Sequence, residues 1–311
     1  MQKKIFPLLL AIVFVFLFVW MIVSHPKTTS HTSVWSAGKL HVIASFYPIA
    51  EFARAVGGDT VEVITITPAG TEPHEYEPTA EQLAAVYLSD VFLYNGGGID
   101  AWATRIAPDV SRKQIVTNEL SHVIRVVSST NGDSTTTFDP HFWLDPVLAQ
   151  KEIAAIAETF SKRDPVHADA YQKNAGAYIA KLSLLDQSYK DELFSCRNRT
   201  VVTSHAAFTY LANEYHFEVI AISGLSPEEE PSAGRLAEIV KLAKEKNVSS
   251  IYFETLASPK LSDTIAREIG AKTLVFNPLE GVSDADRALG KDYLSIMNEN
   301  LDNLKIGMLC P

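Results

Sequence analysis

Between Pro146 and Leu193 nearly every residue is a helix former, and Asp164-Pro165 is the one clear break. From Val166 to Leu193 the apolar residues recur at helical spacing without interruption. At about 1.5 Å per residue a helix of this length runs roughly 40 Å, the size of a whole domain. The stretch therefore reads as a rigid spine, assigned to residues 166–195, and argues for small lobe displacements rather than wide hinge closure.

On both sides of the spine, short β-branched runs alternate with longer stretches of helical periodicity, the pattern of βαβ units and a parallel sheet. Before it, strands are expected at Leu40–Ser45, Val61–Thr67, Val91–Tyr94 and Gln114–Thr117, and helices at Ile49–Val56 and Thr79–Leu88, with Thr79 as N-cap. After it, strands are expected at Val201–Thr203, Val219–Ile222, Ile251–Phe253 and Thr273–Phe276, with helices at Ala206–Tyr215, Ser232–Lys246 and Ser258–Ile269. The fold class is α/β: two lobes, residues 39–165 and 196–311, each with a roughly four-stranded parallel sheet flanked by helices. Ser128–Thr137, with seven Ser or Thr in ten residues, is expected to be a mobile surface excursion.

The 311 residues are 47% hydrophobic, enough to bury a core and more than one lobe usually holds. A net charge of −10, with no stripe of basic residues, argues against nucleic acid as a partner. Residues 1–38 stand apart. Lys3 and Lys4 precede an apolar run from Ile5 to Val23, which reads as an export signal or a membrane anchor, followed by a Ser/Thr-rich spacer. Lysines ahead of the run place everything after Ser24 outside the cytoplasm, and no cysteine near it can accept a lipid. The two cysteines, Cys196 and Cys310, form an even pair in an exported chain; a disulfide is expected, with two buried free thiols as the alternative.

Three of the nine histidines follow a strand or a proline-marked turn: His74 in Thr-Glu-Pro-His-Glu-Tyr-Glu-Pro, His141 in Asp-Pro-His-Phe-Trp-Leu-Asp-Pro, and His205 in Val-Val-Thr-Ser-His. Loops at the carboxyl ends of parallel strands meet at one edge, so residues distant in sequence converge there. Three imidazoles suit zinc and other late divalent metals and leave a fourth position for a carboxylate, an amide oxygen or water. Asn277 and Glu280, in Phe-Asn-Pro-Leu-Glu-Gly, are the candidates for it. Glu75, Asp145 and Glu254 are candidates to orient the imidazoles from behind.

Leu40–Ala55, the segments around His74, His141 and His205, and Leu274–Gly281 together resemble the metal-binding lipoprotein family of ABC transporters, the zinc and manganese solute-binding proteins. The resemblance implies two α/β lobes joined by one backbone helix, with a divalent cation held between them and delivered to an ABC permease in the membrane. His74, His141 and His205 match the family's first three ligands. Manganese-type members tend to have a carboxylate at the third position, so His205 points to Zn2+ over Mn2+. The family's fourth ligand is an aspartate before a proline, a place that Asn277 takes in this chain, with Glu280 or water as substitutes. Ser128–Thr137 lacks the histidines that many zinc-type members carry there.

Two rivals accompany this reading, and a monomer is expected under it. Three histidines plus water is also a catalytic arrangement, with Glu75 or Glu280 as general base, but Pro78 stands where an HExxH helix needs its second histidine. A surface adhesion or structural module sharing the fold is the other, because fold alone does not fix function.

Overall fold

The computed structural model describes residues 35–36, 38–124, 128–129 and 137–311. The apolar run Ile5–Val23 lies outside the described residues, among which no helix is long and apolar enough to cross a membrane. Residues 37–311 contain the two expected parallel sheets.

In the first sheet, β1 (Leu40–Ala44), β2 (Val61–Thr65), β3 (Val91–Tyr94) and β4 (Val116–Glu119) lie in the order β2-β1-β3-β4. The short pair β5 (Ser128–Ser129) and β6 (Thr137–Phe138) is antiparallel; the residues between them, read as a surface excursion, lie outside the described ones. The second sheet holds β7 (Thr200–Thr203), β8 (Glu218–Ala221), β9 (Ser250–Phe253) and β10 (Lys272–Val275) in the order β10-β9-β7-β8. Read from its other edge, this is the same topology again. Burial follows position: central β3 and β7 are buried throughout, as strands covered on both faces must be, whereas edge strands β4 and β10 have no fully buried residue.

Flanking helices in the first lobe are α1 (Tyr47–Gly57), α2 (Ala80–Val86) and α3 (Ala101–Arg112). Thr79 caps α2 as expected, its hydroxyl accepting from the Gln82 N–H while the Gln82 side chain accepts from the Thr79 N–H. Helix α3, with Pro108 inside it, was not anticipated; it ends at Arg112, two residues before Gln114, whose φ of 64° turns the chain, and β4 starts two residues later than the expected Gln114–Thr117.

The helical stretch has two parts separated at Asp164-Pro165: α4 (Pro146–Arg163) and α5 (Ala168–Leu193), with a 3-10 turn at Pro165–His167. Helix α5 buries Tyr171, Ala175, Tyr178, Leu182, Leu185, Tyr189 and Leu193, one stripe at three- and four-residue intervals along its whole length. That stripe joins the apolar residues of α1 and β1 to those of β7 and the C-terminal helix in one continuous core.

In the second lobe, α6 (Thr209–Tyr215), α7 (Ala233–Glu245), α8 (Lys260–Ile269), α9 (Asp284–Ala288) and α10 (Tyr293–Gly307) surround the sheet. Helix α6 starts three residues later than the expected Ala206, whose N–H donates to the Gly224 carbonyl. Helix α10 was not anticipated either. Cys196, just past α5, is bonded to Cys310, just past α10.

Candidate metal centre

Each sheet places its first strand between its second and third, so connections leave the carboxyl ends of neighbouring strands in opposite directions and open a crevice. His205 follows β7 and Glu254 follows the adjacent β9, at the crevice of the second sheet. His74 lies in the loop between β2 and α2. His141 follows no strand of the two parallel sheets: it comes three residues after β6 and stands at the start of the 3-10 turn Phe142–Leu144, whose three side chains are all buried and anchor it.

The four side chains His74, His141, His205 and Glu280 converge. His141 Nε2 lies 3.2 Å from His74 Nε2, 3.4 Å from His205 Nε2 and 3.2 Å from Glu280 Oε1. Glu280 Oε1 is 3.4 Å from His74 Nε2 and 3.1 Å from His205 Nε2. Four ligand atoms about 2.0 Å from a central zinc, placed tetrahedrally, are separated by about 3.3 Å. Five of the six separations thus match those of a tetrahedral N3O arrangement.

Two imidazoles are oriented from behind. His141 Nδ1 donates to Asp139 Oδ1 at 2.8 Å, and His205 Nδ1 donates to Glu254 Oε1 at 2.5 Å. An ionised carboxylate only accepts, so the proton sits on Nδ1 and the Nε2 lone pair faces the cage. Glu254, a candidate from sequence, thus holds His205. Asp145 does not reach the cage: its carboxylate caps α4 by accepting from the Val147 and Leu148 N–H groups. Glu75 points outward and is exposed.

Asp139 and Glu72 were missed, although the signal was present. Both stand two residues before a ligand histidine across a proline, in Asp139-Pro140-His141 and Glu72-Pro73-His74, and each accepts the backbone N–H of its histidine at 3.0 Å. The Asn95 amide adds a further brace, donating to the Pro140 carbonyl at 2.9 Å from the end of β3.

Asn277, expected at the fourth position, has its Oδ1 accepting the Leu279 N–H at 2.8 Å, and Leu279 at φ 58° turns the chain just before Glu280, whose Oε1 lies among the three imidazole nitrogens.

The protons on these groups compete with a cation. Burial opposes charge on His205, but Glu254 and Glu280 outweigh it and raise that imidazole well above its usual range. His141 is likewise raised, against burial, by its bonds to Asp139 and Glu280. Burial lowers His74. Glu280, despite its burial, is held well below the carboxylate range by His205 and by bonds from all three imidazoles. Its neighbour Glu72 is pushed up to about 9 by burial and by the Glu280 charge.

Residues 42–307 match the family described as ZnuA, zinc-uptake complex component A, periplasmic. The zinc-binding lipoprotein AdcA of Streptococcus pneumoniae is 40% identical over 278 residues, covering 86% of this chain and 56% of that protein. The high-affinity zinc uptake system protein ZnuA of Bacillus subtilis is 40% identical over 281 residues, covering 87% of this chain and 88% of that protein. Among solved structures, the Zn(II)-bound ZnuA-like domain of the pneumococcal AdcA aligns with a TM-score of 0.76 at 40% identity, over 87% of this chain and 99% of that domain. The chain thus spans little more than half the length of its pneumococcal relative.

Proposed function

Because the chain belongs to the zinc-uptake complex component A family, we propose that it captures Zn2+ outside the cytoplasm in the His74, His141, His205 and Glu280 cage and delivers it to an ABC permease in the membrane. The observation that carries this reading is the cage itself: three imidazole nitrogens and one carboxylate oxygen, 3.1 to 3.4 Å apart along the five separations above. That donor set and size favour zinc over manganese, which prefers six oxygen donors. The family consists of zinc-uptake components rather than enzymes, and the hydrolase rival loses its bases here. Glu75 lies at the surface, and Glu280 Oε1 is committed to the cage.

The names of the relatives, a lipoprotein and a periplasmic component, support the extracytoplasmic location. Ile5–Val23 is the segment we assign to export or to holding the protein at the membrane, in agreement with the lysines ahead of it.

Chelator-stripped protein titrated with zinc and manganese in competition is expected to take up one zinc per chain and to exclude manganese. Its melting temperature should rise on zinc addition, since a ligand at a thousandfold excess over Kd stabilises the folded state by about 4 kcal/mol. No uptake of either metal would overturn the reading, and preference for manganese would overturn the metal assignment.

Zinc affinity should also weaken as pH falls. His205 and His141 are raised, so below their pKa values each must give up a proton before its Nε2 can bind, and that cost disappears only as pH rises through them. Glu280, held low, adds no such cost. Calorimetric titrations in buffers of different ionisation enthalpy will reveal the released protons; buffer-independent heats would contradict the assignment.

A further inference from the structure

The loop that carries Glu280 is held in an unusual way. From the Asn277 N–H to the Leu279 N–H, every backbone polar group is bonded to a side chain. The Asn277 N–H donates to Asn300 Oδ1 at 2.8 Å, and the Asn277 carbonyl accepts from Asn300 Nδ2 at 2.8 Å. The Pro278 carbonyl accepts from Trp143 Nε1 at 2.9 Å, and the Leu279 N–H donates to Asn277 Oδ1 at 2.8 Å. Pro278 itself has no N–H. All three bracing side chains are buried, Trp143 completely and Asn300 to 1% exposure.

Trp143 reaches two ligand-bearing segments at once. It lies two residues after His141, its ring centroid is 5.2 Å from that imidazole, and it packs edge-on to Phe46 of the first lobe. Its N–H meanwhile crosses to the Pro278 carbonyl of the second lobe, two residues before Glu280. Helix α10 secures both ends: the Tyr293 hydroxyl donates to the Trp143 carbonyl at 2.6 Å, and Asn300, seven residues later on the same helical face, grips Asn277.

We propose that Trp143 and Asn300 are positioning residues that lock the Glu280 loop onto the His141 segment, so that the fourth ligand is held across the two lobes and the metal leaves only when this lock opens. The proposal rests on the metal-binding reading above. Neither residue touches the cation; both act through the backbone on either side of Pro278. A carboxylate on an unbraced loop would swing away or admit water, and the cage would lose its tetrahedral character.

The test uses the full chain, its Trp143→Phe and Asn300→Ala variants, and Glu280→Ala as the reference for a lost fourth ligand, with Zn2+ and Co2+ as probes. Trp143→Phe keeps an aromatic ring beside His141 but removes the N–H along with part of the indole, leaving the Pro278 carbonyl buried without its partner and a small void in the core. Both positioning variants are expected to bind one metal yet release zinc to excess chelator roughly tenfold faster or more, the scale of an orphaned buried carbonyl. Their Co2+ visible spectra should move from the intense tetrahedral bands of the parent toward the spectrum of Glu280→Ala.

A lowered melting temperature with unchanged release rate and Co2+ spectrum would show a packing role only and overturn the proposal. If Trp143→Phe does not fold, Asn300→Ala decides by the same two readouts. A parent chain that binds neither metal would instead remove the reading on which the proposal stands, so the two failures are distinguishable.

Discussion

His141→Ala is expected to lower zinc affinity by about a thousandfold or more while the stripped variant still folds. His141 Nε2 lies within 3.4 Å of each of the other three cage atoms, as Glu280 Oε1 also does. Removing it opens one corner of the tetrahedron to water and strands Asp139, whose carboxylate is fully buried and bonds both the ring and the backbone N–H of His141. Loss of an outer partner alone costs roughly 10–100-fold in metal affinity, so loss of the ligand together with its partner's bond must cost more. The fold should survive, because Phe142, Trp143 and Leu144 anchor the turn independently of the ring. Competitive zinc titration measures the effect; affinity equal to the parent's would show that the cation sits elsewhere.

Opening the disulfide is the second large effect. The Cys196–Cys310 bond spans a separation of 114 residues and closes the whole second lobe into one loop, from the end of α5 to the end of α10. A cross-link of that span restricts the unfolded chain and contributes about 4 to 5 kcal/mol on the chain-entropy account. The double variant Cys196→Ser, Cys310→Ser should therefore unfold at distinctly lower urea concentration. Zinc stoichiometry in the folded variant should stay at one, because neither cysteine is part of the cage. An unchanged urea midpoint would contradict the chain-entropy account of this bond.

Much of this architecture was readable because it depends on local pattern. The eight strands of the two sheets lie within two residues of their expected places, since each is a short β-branched run bounded by polar turns. The break at Asp164-Pro165 and the cap at Thr79 are likewise properties of a few adjacent residues. Helix α10 escaped because its apolar face is interrupted by Asn300, a buried amide that no periodicity count credits as core. Helix α3 escaped because Pro108 reads as a breaker, yet the helix continues through it.

The sequence by itself pointed to the two α/β lobes, the spine between them and the three histidines, because a strand end or a proline-marked turn is written within a few residues of each histidine. For the fourth position it put Asn277 first, with Glu280 or water as substitutes. Only the tertiary structure shows Glu280 among the three imidazoles, because the path of its loop depends on bonds from Trp143, 135 residues away, and from Asn300, 23 residues away. With its oxygen fixed to Leu279 and its backbone gripped by Asn300, Asn277 becomes scaffold, and the left-handed turn at Leu279 delivers Glu280 to the cage.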